Sequence, residues 1–111
     1  MLNVEKLKEF GADTEKGLAR CANNEALYLR FVNITVREFL SDELGEALSA
    51  GDHDRAFEVA HKLKGGVTNL ALTPIAEPLC ELTDLLRNKT PGDYTALYAD
   101  AIAKANKLAE L

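Results

Sequence analysis

The sequence predicts an all-α protein, an antiparallel up-and-down four-helix bundle with two short helices at its N-terminal end. Apolar residues recur at helical spacing along nearly the whole chain. No run of residues alternates as a strand would, and the β-branched cluster from Val32 to Val36 lies inside a helical pattern. Ala, Leu, Glu and Lys are abundant, tryptophan is absent and there are only three prolines, a composition that favours helix over sheet. The connections between the last four helices are short, about two to five residues, which sets sequential neighbours antiparallel.

Taken in order, Asn3 is placed to cap a short helix carrying Val4, Leu7 and Phe10, and Gly11 ends it. Asp13 caps a second, with Leu18, Cys21 and Ala22 on one side and an end near Asn23-Asn24. From Glu25 the pattern becomes regular. Tyr28, Phe31, Val32, Thr35, Phe39, Leu40, Leu44, Ala47 and Leu48 repeat at helical spacing to Ala50, with Gly51 as the stop. About 26 residues is long for a globular helix, so a bend is expected near Ser41 or Gly45. Asp52 caps the next helix, which runs from His53 to about Leu70. Thr73-Pro74 opens another, with Ile75, Leu79, Leu82, Leu85 and Leu86 as its inner stripe. Pro78 removes a backbone donor and crowds the carbonyl of Pro74, so an irregular or kinked first turn is expected. Thr90-Pro91-Gly92-Asp93 reads as a turn and cap before the last helix, which carries Tyr94, Leu97, Tyr98, Ala101, Ile102, Ala105 and Leu108.

A chain of 111 residues, 47% hydrophobic and 28% charged, is expected to form one globular domain over residues 1–111. The net charge of −5 argues against a nucleic-acid partner, because a phosphate backbone needs a basic surface. No segment approaches the roughly 20 apolar residues of a membrane span. The N-terminus lacks the basic flank and apolar core of a signal peptide, so a cytoplasmic location is expected. Cys21 and Cys80 stand far apart with no CxxC, and both are expected to be buried, reduced thiols. No metal and no cofactor is expected on the chain.

The chemistry concentrates in Ala60-His61-Lys62-Leu63-Lys64-Gly65-Gly66. On a helical wheel at about 100° per residue, Val59, Leu63 and Leu70 fall opposite His61, with Ala56 and Val67 flanking them. Phe57, Lys64, Gly65 and Thr68 fall within about 60° of the histidine. The apolar stripe therefore faces inward and the imidazole outward. Two interior glycines cost about 1 kcal/mol each relative to alanine. Gly66 lies on the flank of the inner face, where it would let a neighbouring helix come close. Gly65 lies beside the histidine, where packing offers no reason for it.

Several chemistries drop out. The other histidine, His53, is eight residues away and about 80° round the helix, whereas metal pairs on helices come at three or four residues. No nucleophile relay is visible, and Gly65-Gly66 lacks the strand and spacing of a phosphate-cradling loop. Imidazole, however, is a good phosphoryl acceptor near neutral pH, because its pKa leaves a nucleophilic nitrogen available. An exposed acceptor suits a donor that is another protein's active site. Lys64, one turn on, can offset part of the roughly two negative charges that phosphorylation adds. At ~5 Å and an effective dielectric of ~20 such a pair is worth about 3 kcal/mol, which exposure reduces to under about 1. Lys64 thus tunes charge rather than anchoring the group. Gly65 provides clearance for an approaching cleft. Phe57, Lys62 and Thr68 are the candidate partner-docking residues, Phe57 as an apolar contact and Lys62 as added positive charge.

These residues resemble the histidine-containing phosphotransfer (HPt) domain family, whose core pattern Ala-His-x-Leu-Lys-Gly is matched by Ala60-His61-Lys62-Leu63-Lys64-Gly65. Asn24-Glu25-Ala26-Leu27-Tyr28 with Phe31 looks like the family's entry to its long helix, and Ala47-Leu48-Ser49-Ala50-Gly51-Asp52 like the turn before its histidine helix. The likeness covers about residues 10–88. Val67 departs from it, standing where a small Ala or Ser is common, as does Ala71, which follows Leu70 where the family usually has glycine. The resemblance implies a carrier without autokinase activity. His61 would take a phosphoryl group from a receiver-domain aspartate and pass it to another receiver, the receivers belonging to response regulators and hybrid sensor kinases and supplying the Mg²⁺. A free-standing monomer is expected. The alternative is a helical adaptor or scaffold that binds signalling partners and never carries phosphate.

Overall fold

The computed structural model describes residues 2–90 and 94–111, and every regular element among them is a helix. α1 spans Val4–Phe10, α2 Thr14–Arg20, α3 Glu25–Leu40, α4 Glu43–Ser49, α5 His53–Asn69, α6 Thr73–Arg87 and α7 Tyr94–Ala109. The expected N-terminal caps form through local hydrogen bonds. Asn3, Asp13 and Asp52 accept from the backbone N–H of Lys6, Lys16 and Arg55 at 2.8, 3.2 and 3.1 Å, and Asn24, not expected as a cap, accepts from Leu27 N–H at 3.1 Å. Pro91, Gly92 and Asp93, on which the expected turn and cap before α7 fall, lie outside the described residues.

α5 packs against α6 and α3, and α7 packs against the same two helices, so the four long helices enclose one core. Tyr28 and Val32 from α3, Leu79 and Leu82 from α6, and Ala101 and Ala105 from α7 are all fully buried in it. Phe31 and Leu40, expected on the inner stripe, are instead 40% and 36% exposed, because the buried face of α3 is the narrower strip through Tyr28, Val32, Thr35, Val36 and Phe39. Ala22 also turns outward, and Cys80 is only half-buried, whereas Cys21 is buried as expected. α6 runs unbroken through Pro78, whose ring is buried. The irregularity is confined to its first turn, where the Leu72 carbonyl accepts from both Ile75 and Ala76 at 3.0 and 2.9 Å.

The single long helix expected from Glu25 to Ala50 is two helices. The chain breaks at Ser41-Asp42, where Asp42 takes a left-handed φ of 64°. Ser41 turns its hydroxyl back to the Glu38 carbonyl at 2.7 Å, closing α3. Asp42 does not cap α4. Its carboxylate accepts a hydrogen bond from the Tyr98 hydroxyl of α7. Gly45 makes room for that pairing, since a Cβ there would stand 3.0 Å from the Tyr98 ring. Burial, then the bond to Asp42, holds the Tyr98 phenol well above the usual tyrosine range.

Several helices end in one hydrogen-bonded motif. After α5, Leu72 N–H reaches the Val67 carbonyl at 2.9 Å and Ala71 N–H the Thr68 carbonyl at 3.1 Å, the paired bonds of a Schellman turn. The same pair closes α1 at Gly11 and α4 at Gly51, both with positive φ. At the end of α5 the left-handed residue is Ala71, with φ 56°. A Cβ in that region costs on the order of 1 kcal/mol. This explains why glycine suits the position and predicts that Ala71→Gly raises stability, by up to about 1 kcal/mol after the added chain entropy of the unfolded state. Urea unfolding measures it; a loss of stability would show that Ala71 is not strained.

Candidate functional site

The rotational setting of α5 decides which side chains meet solvent. Ala56, Ala60 and Val67 have no exposed surface and Leu63 only 5%, so this stripe is fixed against α3 and α6. Val59, expected in that stripe, is only half-buried. It borders a groove of about 340 Å³ lined also by Glu38, Ser41, Glu43, Glu58 and Lys62. His61 points away from the core and is exposed.

Gly65 and Gly66 separate as their angles require. A Cβ on Gly66 would meet Thr35 Cγ2 of α3 at 3.3 Å, so this glycine sets the close approach of α3 to α5. A Cβ on Gly65 would find nothing within 4 Å. Beside the histidine the helix surface is therefore open. Lys64, one turn on from His61, is half-buried, and no carboxylate among the described residues pairs with it. Lys62 instead lines the groove with Glu38, Glu43 and Glu58, where its charge sits among carboxylates. Thr68 spends its hydroxyl on the Lys64 and Gly65 carbonyls at 2.7 and 3.3 Å.

Phe57 lies one turn before His61, and its ring stacks on the imidazole with centroids 5.7 Å apart and planes 24° apart. Aromatic pairs in such geometry are worth about 0.5–1.5 kcal/mol beyond their burial. Arg87, the last residue of α6, places its guanidinium carbon 5.7 Å from the centre of the same ring and pairs with Asp84 at 3.4 Å. Nothing in the sequence marks Arg87, thirty positions from Phe57, as part of this site. His53 stands apart, edge-on to Tyr94 with centroids 5.3 Å apart. Phe31, expected to face inward, and Ile34, which the sequence did not single out, are further exposed apolar residues, lying on α3 within a turn of the Thr35 that a Cβ on Gly66 would crowd.

The C-terminal end of α5 is tied to α2 and α3. Tyr28 donates its buried hydroxyl to the Leu70 carbonyl at 2.9 Å. Arg20 donates to the Thr68 and Asn69 carbonyls at 2.6 and 3.1 Å, and Asp13 N–H donates to Ala71 at 3.0 Å. Together these satisfy carbonyls that a helix end leaves without partners.

The sequence model of the Hpt domain matches residues 35–109, about two thirds of the chain. The chain belongs to the Hpt domain family. Hpt domains act in phosphorelays as histidine phosphotransfer carriers that exchange phosphoryl groups with receiver domains. The match takes in all of α4, α5, α6 and α7 and starts within α3, so it begins later and ends later than the span of about 10–88 expected from the motifs. α1 and α2 fall outside it, although Arg20 of α2 and its capping residue Asp13 hold the end of α5. No curated protein and no solved structure matches the chain. Among the described residues no helix is long and apolar enough to cross a membrane.

The Tyr28 tie is titratable. Burial, followed by the negative charges of Cys21 and Asp13 nearby, pushes the Tyr28 phenol up to about 12. A raised folded-state pKa leaves its stabilising contribution intact below about pH 10, where the phenol also keeps its proton in the unfolded chain, and loses it as pH rises towards 12. Tyr28→Phe should cost about 1–2 kcal/mol at neutral pH by orphaning the Leu70 carbonyl. It should also flatten the alkaline fall in the urea midpoint between about pH 10 and 12, and an unaltered fall would assign it to other groups.

Proposed function

We propose that this Hpt domain carries its phosphoryl group on His61, taking it from the aspartyl phosphate of one receiver domain and giving it to the aspartate of another. The observation that carries the reading is the outward imidazole on a helix locked by its opposite face, with an uncovered glycine beside it and a lysine that pairs with no carboxylate among the described residues. In the forward step a neutral imidazole nitrogen attacks phosphorus as the aspartyl O–P bond breaks. The aspartate leaves as a carboxylate, and the ring, still protonated on its other nitrogen, takes the positive charge. The reverse step hands the group to the next receiver, so partner levels set the direction.

Lys64 screens the phosphoryl charge, and Gly65 lets the receiver's acidic cleft close over the ring. Phe31 and Ile34 extend the exposed apolar surface on the α3 side, where a receiver could bury them. Mg²⁺ belongs to the receiver, and no residue of this chain is assigned to hold it. Most transition-state stabilisation also comes from the receiver, which leaves this chain no autokinase role. A cytoplasmic, monomeric, single-domain protein with its long helices in antiparallel up-and-down order completes the reading.

Incubation with a phosphorylated receiver should give acid-labile, base-stable phosphate on the wild type and none on His61→Gln. An unlabelled wild type across the source organism's receivers sinks the proposal, and label persisting in His61→Gln moves the site. Gly65→Gln should fold, with stability raised by up to about 1 kcal/mol through helix propensity, and yet transfer slowly. Transfer at the wild-type rate would refute the clearance role.

A further inference from the structure

We propose that Phe57 is a positioning residue, whose ring, held in place by Arg87, fixes the plane of the His61 imidazole for in-line attack. The proposal rests on His61 being the phosphoryl acceptor. Among the described residues none hydrogen-bonds to the imidazole, and the Phe57 ring, 5.7 Å away at 24°, is its aromatic neighbour. An exposed histidine without such a neighbour exchanges among staggered χ1 wells and turns broadly about χ2. Group transfer requires the attacking lone pair to lie along the axis of the breaking bond, so a ring that wanders spends much of its time unreactive. A near-parallel stack restrains the plane of the ring, which a looser apolar contact would not do.

Phe57 is itself restrained. It is half-buried against the core, and the Arg87 guanidinium stands 5.7 Å from its centroid. Arg87 is in turn tied to Asp84 at 3.4 Å, so the support passes from α6 to α5 through Asp84, Arg87 and Phe57 to His61. The two ends of the histidine's neighbourhood differ accordingly. One turn towards the N-terminus stands the Phe57 wall, and one turn towards the C-terminus stands Gly65 with open space around it. The imidazole is braced from one side and approached from the other. A side chain serving only to dock a partner would not need its ring engaged by two groups of its own chain.

The test compares wild type, Phe57→Leu, Phe57→Tyr and Arg87→Gln in single-turnover transfer from a phosphorylated receiver, alongside NMR of the His61 ring protons in the unphosphorylated proteins. Phe57→Leu should lower the maximal rate about two- to tenfold while leaving the half-saturating receiver concentration unchanged. Its His61 ring signals should move towards free-histidine values. Phe57→Tyr should restore both. Arg87→Gln, an exposed substitution that keeps the fold, should show the same changes at smaller size, and it carries the test if Phe57→Leu unfolds. A raised half-saturating concentration at unchanged maximal rate would make Phe57 a docking contact and overturn the proposal, as would His61 signals that do not move. The ring signals do not depend on phosphotransfer. If they shift as expected while the wild type accepts no phosphate, the failure belongs to the functional reading.

Discussion

The fixed rotation of α5 about its own axis is the constraint on which the rest of the structure depends. Two alanines, Ala56 and Ala60, are sealed completely on its inner side, and a Cβ on Gly66 would stand 3.3 Å from Thr35 Cγ2. Small residues at those positions let α3 and α6 approach closely, and close approach leaves little room for the helix to turn. Each residue turns by about 100°, so a one-position roll would bring His61 towards a neighbouring helix and drive larger side chains into the space that alanines and glycine occupy. The histidine faces outward because the opposite side of its helix cannot move.

Around that constraint the N-terminal third of the chain works as a brace. Arg20, Tyr28 and the Asp13 backbone all donate to the last carbonyls of α5 or its connection to α6. α1 and α2 lie outside the span that matches the Hpt family, yet α2 and its capping Asp13 hold the end of the helix that carries His61. At the other end of the bundle the α3–α4 corner is held to α7 through Asp42 and Tyr98. The break there gives α4 its own direction, and α4 packs against both α5 and α7.

What could be read from the sequence follows from how far each interaction reaches. The caps at Asn3, Asp13 and Asp52 were legible because each bond spans three residues, and the outward setting of His61 because helical periodicity is local. The different surroundings of Gly65 and Gly66, one open and one against α3, were legible for the same reason, as angles on one helix. The split between α3 and α4 was only half legible. Its position near Ser41 showed in the length of the pattern, but the partner that holds Asp42 at the break is a tyrosine 56 residues downstream. Phe31 and Leu40 misled because an apolar period gives the direction of the buried face and not its width. Arg87 and Arg20 were invisible, since each acts through a contact on a distant helix. Ala71 stood out as a departure from the family pattern, and its left-handed φ supplies the physical meaning of that departure.

The central claim is that the chemistry resides on the outward histidine and not on the second histidine of the same helix. Mass-spectrometric mapping of the wild-type protein, after phosphorylation by a receiver and digestion at alkaline pH, tests it most directly. Phosphate should be found once per chain, on the peptide that retains His61. Phosphate on His53, whose ring lies against Tyr94, or on an aspartate or serine elsewhere would contradict it.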